Sequence, residues 1–296
     1  MKGELLCVPC TVRTALDNAV KATADKELQS ILVYETMRWL AQKPKELNKT
    51  PAALHTYVQR LAKKITDNSD PFKELKKASN EIALRAVKAL EKECSCLEFR
   101  EAFRLAALST ICGNTIDFEV EGHQFSMEEL ESSLCACLKE DLVIDDTPQL
   151  IEALSRSKKV VYLLDNAGEI VFDRFFIKMI VKNFPVKVYA AVKKGPILND
   201  ATMKDAEQVR LEEVAEVITT GNDHIGLSLN ESSKEFLDHI KASDLIIAKG
   251  QGNYESITEV ENVLPKPIMY ILRAKCSLVA DTLRVPRNGN VVKVLS

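Results

Sequence analysis

Four short stretches carry the residues best suited to chemistry. Asp165-Asn166 follows the apolar run 160–164, Asp200 closes Lys193-Lys194-Gly195-Pro196-Ile197-Leu198-Asn199, and Lys249 and Lys275 stand at the ends of two later apolar runs. Two carboxylates and a carboxamide are hard oxygen donors, the set that suits an oxygen-preferring divalent cation completed by water and substrate oxygens. Magnesium or manganese fits that set better than structural zinc. A cation would also let both carboxylates stay ionised, since like charges brought together alone would raise one pKa. The competing reading is that Asp165 and Asp200 cap the helices that follow, and Asp200 stands well for that ahead of Ala201-Thr202-Met203. Lys249 and Lys275 either meet a phosphate as point charges or are solvated surface lysines.

Other chemistries lose support. Gly250-Gln251-Gly252 permits close approach of an anion, but the three-glycine dinucleotide fingerprint is absent. No serine lies in a Gly-x-Ser-x-Gly elbow, and His55, His123, His224 and His239 form no triad or metal spacing. His224, in a glycine-flanked loop, is the histidine read as nearest the chemistry. Cys7-Val-Pro-Cys10 either holds metal or does redox work, though two thiols fall short of the about four ligands of a structural zinc, and its alternative is a pair of small buried apolar residues.

The elements that must position these residues differ between the two halves. From Val12 to about Leu154 apolar residues recur at three- and four-residue steps, as in Ile82, Ala83, Leu84, Val87 and Leu90, which is helix patterning. Thr50-Pro51 supplies an N-cap and a first-turn proline ahead of Leu54, Tyr57, Val58 and Leu61. Gly113-Asn114 interrupts the helices. After Ser155 short apolar runs at 160–164, 186–192, 215–220, 244–248, 267–272 and 291–295 alternate with helical stretches. Runs without polar alternation are buried on both faces, so the fold class is α/β: a Rossmann-like, parallel, three-layer sheet domain preceded by an all-helical N-terminal domain. The expected division is 1–150 and 151–296. In such a sheet ligands sit beyond the carboxyl ends of the strands, where the polar residues above fall.

Composition bounds the partners. The 296 residues are 46% hydrophobic, ample for one large core or two smaller ones. Forty-three acidic and forty basic residues are interspersed to a formal charge of -3, so no basic stripe exists to displace counterions from nucleic acid. The first residues lack a signal-peptide core and no apolar run spans a bilayer, so a cytoplasmic protein is expected, with its eight cysteines as reduced thiols.

Taken together and in order, Leu164-Asp165-Asn166-Ala167-Gly168-Glu169, Asn199-Asp200-Ala201-Thr202, Asp205-Ala206-Glu207 and Lys249-Gly250-Gln251-Gly252-Asn253-Tyr254-Glu255 resemble the damage-control phosphatase family in its stand-alone prokaryotic form. Cys7-Val-Pro-Cys10, Gly113-Asn114-Thr115-Ile116-Asp117 and Lys275-Cys276 extend the resemblance over nearly the whole chain. The resemblance implies a metal-dependent phosphatase of small phosphorylated metabolites, sugar phosphates or damaged phosphometabolites, using a divalent ion such as Mn, Mg, Co or Ni. By residue matching, Asp165, Asn166 and Asp200 would hold the metal. Lys249 and Lys275 would face the phosphate beside Asp165, and Asn114, Asp117, Glu169 and Asn253 would meet the substrate. Eukaryotic carbohydrate-phosphatase members carry an arginine three residues before the matching lysine; here that position is Leu272, with Arg273 one step later. Two rival readings are an S-adenosylmethionine-dependent carboxyl methyltransferase and a non-catalytic metal- or metabolite-binding protein. The first lacks a glycine-rich loop after its first strand.

Overall fold

The computed structural model describes residues 1–42, 48–113, 136–265 and 267–295. Five helices come first: α1 (Cys7–Ala22), α2 (Lys26–Gln42), α3 (Pro51–Thr66), α4 (Lys73–Cys94) and α5 (Phe99–Cys112). Thr50 caps α3 as its type predicts, accepting from Ala53 N at 3.2 Å, with Pro51 in the first turn. Ala15, Ala19, Leu32, Val58 and Ala62 give α1, α2 and α3 a small core of their own. By contrast α4 and α5 pack their apolar faces, among them Val87, Leu90 and Phe103, into the large core that covers one side of the sheet.

The sheet elements follow as β1 (Leu142–Asp145), α6 (Thr147–Arg156), β2 (Lys159–Leu163), α7 (Glu169–Asn183), β3 (Lys187–Val192), α8 (Met203–Val209) and β4 (Glu216–Thr219). The series closes with α9 (Lys234–Lys241), β5 (Leu245–Lys249), α10 (Gly250–Ile257), β6 (Ile268–Arg273), α11 (Ser277–Leu283) and β7 (Asn290–Leu295). The described strands form one sheet in the order β1-β7-β6-β5-β2-β3-β4. Along β2, Val160 and Tyr162 face the core containing Phe172 and Phe176, while Val161 and Leu163 face the one containing Phe236 and Ile240. That alternation is the three-layer α/β architecture.

The expectation needs two adjustments. The sheet is not wholly parallel, because β7 runs antiparallel to β6, pairing Arg273 with Asn290 and Ile268 with Leu295. The expected division at residue 150 falls inside α6, and β1 already pairs with β7 before it. The cysteine expectation is corrected as well: Cys112, the last residue of α5, is disulfide-bonded to Cys137, their Cα atoms 5.7 Å apart, within ordinary bridging distance. Cys7 and Cys10 carry free thiols. No described helix is long and apolar enough to cross a membrane.

One feature of the strand order sets the site. β2 has β3 on one side and β5 on the other, so the chain leaves β2 in one direction through β4 and returns to build β5 and β6 in the other. The carboxyl ends of β2 and β5 therefore border the crevice where open α/β sheets bind ligands.

Candidate active site

β2 ends at Leu163 and passes through Leu164 and Asp165 to α7, whose N-cap is Gly168. Beside it β5 ends at Lys249 and turns at Gly250, with φ +76°, directly into α10. The turns lie so close that a Cβ on Gly250 would stand 1.8 Å from Asp165 Oδ2. Gly250→Ala is therefore expected to displace Asp165. Turnover that depends on this carboxylate should fall by up to ~10²-fold, since an ångström of misplacement suffices for that. Comparing kcat/KM of the folded variant with wild type checks it.

The loop after β3 is stitched to the same turn by its backbone. Ala201 N donates to Asp165 O at 2.8 Å, Ala167 N to Asn199 O at 2.8 Å and Lys193 N to Ala201 O at 2.9 Å. These bonds set Asn166 opposite Asp200 in an isolated antiparallel bridge. Leu198 sits at φ +44°, a left-handed conformation that a bulky side chain disfavours, in the loop that delivers Asp200.

Neither carboxylate caps a helix. Thr202 and Asp205 cap α8, Thr202 N and Oγ1 donating to Asp205 Oδ2 at 2.8 and 2.7 Å, and Gly168 opens α7. Instead Asp165, Asn166, Asp200 and Lys275 line one cavity of about 190 Å³, together with Gln251 and Gly252 in the first turn of α10.

The electrostatics of that cavity turn on a buried carboxylate. Asp200 is buried, its Oδ2 has no hydrogen-bond partner, and the buried Lys193 ammonium stands 3.8 Å away while donating to Gly226 O at 2.7 Å. Burial pushes the Asp200 carboxyl up to about 7; Lys193 opposes the shift and Asp165 adds to it. Asn166 Nδ2 donates to Asp165 Oδ2 at 3.2 Å. A buried carboxylate oxygen without a donor, beside a second carboxylate and a carboxamide, fits a hard divalent cation. Among the described residues no three His, Cys, Asp or Glu side chains are grouped closely enough to hold a metal ion between them, so such a cation would rest on two carboxylates and Asn166.

Three of the expected site residues lie beneath the cavity. Lys249 is fully buried, bonded to Glu169, 3.1 Å from Asp173 and 3.2 Å from Thr110 O. Burial works against its charge, but Asp173 and Glu169 outweigh that and hold the ammonium above the usual lysine range. It is neither a solvated surface lysine nor a wall of the cavity. Glu169 is committed to the same cluster, and Asn253 spends its amide on Leu164 O at 3.2 Å and Lys249 O at 2.8 Å. Asn253 thus ties the ends of β2 and β5 together. Asn114 and Asp117 lie outside the described residues. Gly113 before them is described, and its missing Cβ lets α5 approach α7: a Cβ there would stand 2.5 Å from Phe172.

Other residues enter the cavity unannounced. His224 is held by its own loop, its Nδ1 2.7 Å from Ile225 O, and it is His55 of α3 that lines the cavity. Glu255 lines it too, accepting from Gln251 Nε2 at 2.9 Å, and burial pushes its carboxyl up to about 7. The signal for Glu255 was its spacing, four residues after Gln251 on one helix face. Arg273 also borders the cavity, its guanidinium 2.9 Å from Glu140, whereas Leu272 is buried in the core.

The chain belongs to the damage-control phosphatase ARMT1-like family, whose model matches residues 5–291. It is 35% identical to a damage-control phosphatase of Pyrococcus horikoshii, with 98% of this chain and 97% of that protein covered. It is 36% identical to a damage-control phosphatase of Archaeoglobus fulgidus, with both chains wholly covered. An uncharacterized protein of Methanocaldococcus jannaschii is 41% identical over 97% of this chain and 93% of that one. The crystal structure of a DUF89 family protein from Pyrococcus horikoshii matches with a TM-score of 0.89 at 35% identity, covering 99% of this chain and 98% of that one.

Proposed function

We propose that this chain is a metal-dependent phosphatase that hydrolyses phosphomonoesters of small metabolites, sugar phosphates or damaged phosphometabolites. The observation that carries the reading is the convergence of Asp165, Asn166 and Asp200 at the sheet's switch point, with Asp200 Oδ2 buried and accepting no hydrogen bond, its nearest cation being Lys193 at 3.8 Å. Relatives named damage-control phosphatases support the phosphatase part. The cavity of about 190 Å³ suits a small substrate, being below the ~300–1,000 Å³ typical of drug-sized ligand pockets.

Asp165, Asn166 and Asp200 would hold magnesium, manganese, cobalt or nickel, and the bound ion would supply Lewis acidity toward a phosphoryl oxygen. The chain's own residues do the rest. The first turn of α10 presents backbone N–H groups at a helix N-terminus, a natural seat for a phosphate dianion. Lys275 borders the same space and offsets charge as the ester bond lengthens. A water oxygen adds to phosphorus in line as the ester P–O bond breaks; of the water's two protons one stays on the new phosphate and the other is passed, directly or through solvent, to the leaving oxygen. Lys249, Glu169 and Asn253 act from below by fixing the strand ends that carry Asp165 and the α10 turn.

The test is phosphate release from an aryl phosphate and a panel of sugar phosphates by chelator-stripped protein, with each of the four ions added back. Release restored by an ion is the expected result. Equal release in stripped and loaded protein overturns metal dependence, and no release under any condition overturns the phosphatase reading.

A further inference from the structure

The cavity has a second wall, contributed by α3. That helix is pinned along its length: Ile225 N donates to Thr56 Oγ1 at 3.0 Å, Arg60 Nη2 and Lys63 Nζ reach Asp223 at 2.7 and 2.9 Å, and Ala52 packs with Ile197 and Ile225. His55, one residue before Thr56, is thereby held at the cavity's edge. Its Nε2 is buried and has no hydrogen-bond partner. An orphaned buried ring nitrogen is a standing penalty, of the kind a bound molecule relieves.

The chemistry of that nitrogen selects what would relieve it. Carboxylates are at hand in this cavity, Asp165, Asp200 and Glu255, yet none pairs with the imidazole. Burial holds the ring near a pKa of about 4, so it is neutral at physiological pH. In a neutral imidazole Nε2 is a donor in one tautomer and an acceptor in the other; a hydroxyl satisfies it either way, whereas a phosphate dianion satisfies only the donor and gains no countercharge from the ring. The phosphate end of the cavity is furnished instead by Lys275 and the α10 turn.

Resting on the phosphatase reading above, we propose that His55 is a specificity-determining residue that hydrogen-bonds a hydroxyl of the organic part of the phosphoester. The helical half of the chain then selects the substrate while the sheet half cleaves it. A site built to bond a substrate hydroxyl discriminates strongly against analogues that lack it.

The experiment measures kcat/KM with manganese for the best sugar phosphate and for an aryl phosphate without hydroxyls, in wild type, His55→Ala and His55→Gln. The ratio of the two values should fall at least ~10-fold in His55→Ala, the scale of a lost substrate hydrogen bond, and recover in part in His55→Gln, whose amide keeps a donor and an acceptor. A thermal melt shows which variants are folded; if His55→Ala is not, the ratio is read in His55→Gln and His55→Phe, with the larger fall expected in phenylalanine. An unchanged ratio, or an equal loss on both substrates, overturns the assignment while leaving the phosphatase reading in place. Absence of release by wild type from either substrate overturns both.

Discussion

Lys249→Met is expected to lower the stability of the fold by about 3–5 kcal/mol, the range for removing one partner from a buried ion pair. Two fully buried carboxylates, Glu169 and Asp173, share this one ammonium. Each also has an oxygen without a hydrogen-bond partner, Oε2 and Oδ2. Tyr162 donates to Asp173 Oδ1 at 2.6 Å, a single neutral donor in place of the lost cation. Burial already raises both carboxyls, with Lys249 the chief opposing influence, so the variant's folded pKa values must rise further. The sign follows from linkage. Below the unfolded values, 4.5 for Glu169 and 3.8 for Asp173, both are protonated in either state and the deficit is small. As pH climbs, the unfolded chain ionises freely and the folded one does not, so the deficit grows. Urea unfolding at pH 5 and pH 8 should show a larger loss at pH 8, with part of it returned in Lys249→Met/Glu169→Gln. Identical midpoints for wild type and Lys249→Met at pH 8 would show that the cluster contributes no net stability.

The same cluster marks where sequence reading stops. A lysine ending an apolar run reads as a ligand-facing residue, and Lys275 does line the cavity while Lys249 turns inward. A signal for the difference was present. Glu169 and Asp173 lie four residues apart, on one face of a helix otherwise studded with Ile170, Phe172, Phe175 and Phe176, and two acids on a buried face demand a buried cation. The core strands were legible because each is apolar on both faces. β1 was not: it is four residues long at the sheet's edge, with Val143 exposed, and was absorbed into the expected helical domain. The direction of β7 is unreadable for another reason, since an apolar run has the same pattern whichever way it points. Asp200 was ambiguous between cap and ligand, and only the Thr202–Asp205 pairing resolves its freedom from capping. His55 left no mark, being one polar residue among the buried Thr56 and Gln59 of the same helix.

Asp165→Ala is expected to separate activity from stability by moving them in opposite directions. Turnover should fall at least ~10²-fold, because outer-shell partners of a metal ligand already account for 10–100-fold and this is a proposed ligand itself. Stability of the chelator-treated protein should instead rise at neutral pH. Asp165 is among the charges that hold up the buried carboxyls of Asp200, Glu169, Asp173 and Glu255. Without it each ionises more readily in the folded chain, which lessens a penalty that applies above the unfolded carboxyl range and vanishes below it. The gain should therefore be present at pH 7 and absent at pH 3.5. The Asp165 carbonyl still accepts from Ala201 N in the variant, so the loop from β3 stays attached. Truncation also empties the space against Gly250, where the Asp165 carboxylate stands in the way of any Cβ. Gly250→Ala should accordingly be better tolerated in the Asp165→Ala background than in wild type, a coupling that a double-mutant cycle measures directly. Added manganese should raise the thermal midpoint of wild type by mass action and leave that of Asp165→Ala nearly unmoved. Wild-type activity in Asp165→Ala would remove the carboxylate from the chemistry altogether. A fall in both activity and metal-free stability would instead make Asp165 a structural residue of the β2 turn, its favourable contacts outweighing the like-charge repulsion of this cavity.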